Sequence, residues 1–136
     1  MEVVIDSNVF FRTLISKGEI LDIMLSPLLS LLAPERLKEE FLKHRSEILN
    51  KTKLSEEEFN ELAAELFRII EFVSFEKYKP FIQKARELLK EHTKDEEFIA
   101  LCLYKNAKLW TYELLLFKIG FGISTEQISK ALSEKV

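Results

Sequence analysis

The chain opens with Val3-Val4-Ile5-Asp6-Ser7-Asn8, three β-branched apolar residues followed by three polar ones. A run this short and apolar at every position reads as a strand buried on both faces, as in parallel sheets. Asp6-Ser7-Asn8 ends the strand, and a helix follows from about Val9. The same unit recurs outward along the chain. Leu28–Leu32, Phe72–Phe75, Lys108–Thr111 and Phe121–Ser124 read as further short strands. Amphipathic helices lie between them. One runs from Glu19 to Leu25, and Pro34 opens another with Leu37, Phe41, Arg45 and Ile48 inward. Ser55-Glu56-Glu57-Glu58 is a capping box ahead of Phe59, Ala63, Leu66 and Ile70, in a helix independent enough to extend beyond the basic layers. Pro80 begins a fifth helix, Thr93-Lys94-Asp95-Glu96 has the capping-box pattern for a sixth, and Ser124 or Thr125 caps the last. Short strands alternating with amphipathic helices predict an α/β fold whose parallel sheet is covered on both faces.

Composition sets the frame. The 136 residues are 47% hydrophobic, which suits one globular domain over residues 1–136 and excludes a largely disordered chain. One cysteine, Cys102, excludes an internal disulfide framework and reads as a small core residue. Charges interrupt every apolar run, so no membrane span is expected. The start, Met1-Glu2-Val3, has no basic segment ahead of an apolar one, and the expected location is the cytoplasm. The net charge of −3 gives no global attraction to nucleic acid, though local patches and bound ions override so small a value. Glutamate outnumbers aspartate 20 to 3, so each aspartate raises the question of why the shorter acid is used.

Ligand sites in open parallel sheets gather at the carboxyl ends of strands. Asp6 directly follows the first strand, and Asp95 starts the helix that leads into the fourth. Glu113 lies two residues beyond Thr111, while Glu39 and Glu40 lie early in the helix after the second strand. Asp22, the third aspartate, is in an ordinary helical stretch. Converging carboxylates repel one another unless a cation is bound, and an all-oxygen set suits Mg²⁺ or Mn²⁺. Helix capping and the macrodipole offer a competing explanation for each acid taken alone.

Four blocks carry a family resemblance: Val3-Val4-Ile5-Asp6-Ser7-Asn8-Val9, Leu37-Lys38-Glu39-Glu40-Phe41, Asp95-Glu96-Glu97-Phe98-Ile99-Ala100-Leu101, and Leu109-Trp110-Thr111-Tyr112-Glu113. In order and spacing they resemble the PIN-domain ribonucleases, which include the prokaryotic VapC-type toxins. The resemblance implies a single three-layer domain with a five-stranded parallel sheet. It implies Mg²⁺ or Mn²⁺ held by Asp6, Glu40, Asp95 and Glu113, with Asn8 and Thr111 as supporting polar residues. The implied reaction is hydrolysis of single-stranded or structured RNA by metal-activated water. A toxin would also need an antitoxin protein as inhibitor. One position departs from the pattern: the fourth acid is usually Asp and here is Glu113. The extra methylene moves the oxygens by roughly a bond length, a change that shifts preference toward Mn²⁺ or weakens a second ion. Glu97 or Glu96 would compensate if turned inward. The rival reading is a non-catalytic PIN-like module that binds nucleic acid or protein.

Other features read as structural. His44 and His92 have no partner at zinc-ligand spacing. Lys43-His44-Arg45, with Lys51 and Lys53, reads as a solvated helix face rather than a phosphate track. Most of the 11 phenylalanines belong to the core; a homodimer interface or a stacking surface for bases is the alternative for a few, Phe10-Phe11 lying beside the proposed pocket.

Overall fold

The computed structural model describes residues 1–135. Val3, Val4 and Ile5 lie in β1 (Glu2–Ile5) and are all buried. Successive strand residues point to opposite faces, so burial of all three means that both faces are covered. β1 is the centre of a five-stranded sheet of order β3-β2-β1-β4-β5, parallel throughout. The other strands are β2 (Ser30–Pro34), β3 (Ile70–Val73), β4 (Lys108–Trp110) and β5 (Gly122–Ile123). Around them run α1 (Ser7–Ser16), α2 (Gly18–Met24), α3 (Arg36–Lys51), α4 (Glu56–Ile69), α5 (Phe75–Tyr78), α6 (Ile82–Leu89), α7 (Glu96–Lys105), α8 (Leu114–Lys118) and α9 (Thr125–Ser133). The chain builds outward from β1 to β3, then returns to lay β4 on the other side of β1. Connections leaving β1 and β4 therefore diverge and open a crevice at their carboxyl ends.

Several elements differ from the sequence reading. β2 starts two residues later than Leu28 because Leu28 is held in a turn, its N–H donating to Ser26 Oγ at 3.2 Å. Pro34 does not open a helix; it ends β2 opposite Val73, and α3 starts at Arg36. The end of a strand tolerates the missing N–H. β3 takes Ile70–Val73 rather than Phe72–Phe75, because α4 runs into it without a loop and Ile70 pairs with Leu31. Ser74 and Phe75 then enter α5. The Thr93 capping box does not form: Thr93–Asp95 is a 3-10 turn, and no side chain caps α7. The box at Ser55 forms with both hydrogen bonds, as does one at Ser124, which is the cap of α9 in place of Thr125. The short helices α5 and α8 carry too few residues for periodicity to betray them.

Aromatic packing joins the helices to the sheet. Phe10 of α1 lies 4.9 Å from the Phe67 ring and 5.9 Å from the Phe41 ring. Phe41 stacks on Phe59 at 6.0 Å, and Phe67 reaches Phe72 of β3 at 5.8 Å. α4 is thus bound into the core and not an outlying arm. On the opposite side Trp110 is fully buried, and its Nε1 donates to Thr125 Oγ1 at 3.0 Å, fastening β4 to α9. Among the described residues, no helix is long and apolar enough to cross a membrane.

Phe10→Ala would empty the centre of the aromatic cluster. Urea unfolding is expected to show a loss of about 3–5 kcal/mol with little change in m, whereas Leu42→Ala, at a position 71% exposed, should stay within about 0.5 kcal/mol of the parent.

Candidate active site

The crevice is built where β1 meets β4. The Asp6 N–H donates to the Trp110 carbonyl at 3.0 Å, so the first residues past both strands are held side by side. Asp6, Asp95 and Glu113 occupy the N-cap positions of α1, α7 and α8. An N-cap carboxylate ordinarily accepts an N–H of the following turn. None of the three forms that side-chain cap. Helix capping therefore does not account for them.

Their carboxylates face one cavity of about 420 Å³, shared with Glu40, Ser7 and Asn8. Asp6 and Asp95 are buried, and Glu40 and Glu113 stand partly exposed at the rim. Thr111 Oγ1 donates to Asp6 Oδ2 at 2.6 Å. The same oxygen accepts the Glu113 N–H at 3.0 Å, which leaves the hydroxyl hydrogen for Asp6. Asn8 is exposed on the cavity wall.

The rim is cationic. Arg36 Nε donates to Glu40 at 3.3 Å, and Lys94 Nζ lies 3.5 Å from Glu113. Lys43 and His44 also line the cavity, Lys43 from an exposed position on α3. Arg45 turns away, to Asn60 and over the Phe59 ring. Glu97 is not brought in: it accepts the Tyr78 hydroxyl at 2.9 Å. Glu96 is held by Arg86. Neither lines the cavity. Sequence reasoning missed Ser7, whose buried Oγ has no hydrogen-bond partner among the described residues, and the cations Arg36 and Lys94. Spacing gave a signal for Arg36, four residues before Glu40 on one helix; Lys94 had none.

A family model described as "PIN domain" matches residues 4–133. The chain belongs to the PIN domain family. A search of curated proteins finds no match. PIN domains are typically nucleases that use divalent metal ions.

Electrostatics set this PIN domain's inner pair apart. Burial pushes Asp6 up to about 6, opposed by the Thr111 hydrogen bond and reinforced by Glu113 and Glu40. Burial also pushes Asp95 up to about 7, reinforced by Glu113 and Asp6 and opposed by Lys94. Asp95 Oδ2 is buried with no hydrogen-bond partner among the described residues. Among those residues, no three His, Cys, Asp or Glu side chains form a ready-made metal-holding group. The outer carboxylates are instead drawn to Arg36 and Lys94. The donor chemistry still fits a hard divalent ion: it is all oxygen, and one buried carboxylate oxygen lacks a partner.

The raised pKa values carry a stability cost with a definite sign. Unfolded carboxyls titrate near 4, so between about pH 4 and 7 the native state binds more protons and loses stability as pH rises. In EDTA, Asp95→Asn should be more stable than the parent at pH 8 and gain little at pH 4. Thermal unfolding across that range tests this, and an equal gain at both ends would rule out the carboxyl as its cause.

Proposed function

We propose that the chain is one PIN-like domain acting as a Mg²⁺- or Mn²⁺-dependent endoribonuclease on single-stranded RNA. The observation that carries this is the buried pair Asp6 and Asp95. Neither caps its helix by its side chain, both lie where the sheet's connections diverge, and Asp95 Oδ2 has no partner among the described residues. In this reading Asp6 and Asp95 hold the ion from within, and Glu40 and Glu113 close on it from the rim. A bound divalent ion supplies the charge that activates water and offsets the charge gathering on the phosphoryl oxygens. Thr111 is a positioning residue that fixes one Asp6 oxygen. Arg36 and Lys94 screen the outer acids, and Lys43 brings positive charge to the wall past which an RNA phosphate must enter. The likeness to VapC-type toxins extends the proposal to a toxin component restrained by an antitoxin protein.

A second reading, a non-catalytic binding module, is favoured by the pairing of Glu40 and Glu113 with cations of their own chain. Cleavage of labelled single-stranded RNA in Mn²⁺, Mg²⁺ or EDTA separates the two. The nuclease reading expects ion-dependent cleavage that falls to background in Asp6→Asn and Asp95→Asn. Thr111→Val should cost about 10–100-fold, the usual loss when a ligand's supporting hydrogen bond is removed. Glu113→Asp should raise activity in Mg²⁺ relative to Mn²⁺. RNA binding without turnover, indifferent to Asp6→Asn, would establish the module.

A further inference from the structure

Beside the acidic cavity lies a second of about 430 Å³. The two share Asn8, Phe11 and His44, so they adjoin. The chemistry changes from the first to the second, from carboxylates to the aromatic and basic side chains Phe11, Tyr112, Arg12 and Lys51. Tyr112 stands in sequence between Thr111 and Glu113, both parts of the acidic site, and is 43% exposed. The Arg12 guanidinium lies over its ring, 5.6 Å from the centroid. Phe11 is half-buried with its ring 5.8 Å from that of His44, whereas Phe10 is wholly in the core. Glu47 also lines this cavity, but Lys51 at 3.1 Å takes up its charge, and His44 Nδ1 lies 3.5 Å away.

We propose that this second cavity is a nucleotide subsite. It stacks one unpaired base of the RNA on Tyr112 and offers Arg12 to an adjoining phosphate while the scissile phosphodiester lies over the carboxylates. This rests on the nuclease reading and adds the residues that seat the strand. An accessible aromatic face with a cation beside it accepts any base, since every base has a π-face. The volume is within the range of small-ligand sites. A base stacked and paired inside a duplex has no free face for Tyr112, so the subsite itself imposes a preference for single strands. It also sets the direction of the strand, from the carboxylates toward the cleft between α1 and α3.

The test is the affinity of a fluorescent single-stranded oligoribonucleotide in Mn²⁺, measured by anisotropy on full-length Asp95→Asn protein so that the strand is not consumed. Adding Tyr112→Ala should weaken binding about 5- to 150-fold, the range of one base–aromatic stack. Tyr112→Phe should bind within about twofold of the parent. Arg12→Ala should weaken binding and lower the slope of log affinity on log salt by about one. On a fully abasic strand the Tyr112→Ala penalty should vanish. Undiminished affinity in Tyr112→Ala, or an equal loss on the abasic strand, would overturn the subsite and leave the cavity to another ligand such as a peptide. If wild-type cleavage still required Asp6 in that case, the nuclease reading would stand alone. Absence of both binding and cleavage would overturn both.

Discussion

A 2.6 Å hydrogen bond from Thr111 to Asp6 spans 105 positions of sequence, and the site is assembled around it. It exists because β1 and β4 are parallel neighbours in a register that pairs Ile5 with Trp110. The next residue of each strand then stands at the open end of the sheet. Parallel pairing of strands so distant in sequence needs a long crossover, and here β2, β3 and most of the helices fill it.

That meeting has an electrostatic cost, and the charges around it are arranged in two layers. Two like charges about 4 Å apart repel by roughly 4 kcal/mol at an effective dielectric of 20. The inner acids hold their protons to higher pH, through burial first and the neighbouring carboxylates second. The outer acids are relieved by Arg36 and Lys94. Side-chain length follows the same division. The short aspartates are placed immediately past a strand or at a helix start, where the backbone already brings them to the cavity. The longer glutamates reach in from α3 and from beyond β4.

Much of this was legible in the sequence, and what was missed has physical reasons. Val3-Val4-Ile5 and Leu109-Trp110 are apolar on both faces and could be read as central strands. The boundaries of β2 and β3 could not be read as well. Leu28–Leu32 is apolar throughout, so composition does not say where pairing starts; the Ser26 turn does. At Ile70 a helical apolar stripe runs directly into a strand, and only pairing with Leu31 draws the line. Asp6, Asp95 and Glu113 were legible because strand ends converge, a rule that also offered both Glu39 and Glu40; the family resemblance singled out Glu40. The Thr93 pattern misled: its residues suit a capping box, yet the turn is 3-10 and Asp95 faces the cavity. Lys94 was illegible because its partner Glu113 is remote in sequence.

The placement of β4 also bears on how the protein comes into being. Chains emerge from the ribosome N-terminus first, and contacts form as their partners appear. β1, β2 and β3, with the phenylalanine cluster between them, are complete once Val73 has emerged. Asp6, however, has no hydroxyl partner until Thr111 follows, and the crevice has no second wall until β4 docks. A PIN domain built in this order has no finished site until β4 has followed, while the chain is still tethered to the machinery that is reading its message.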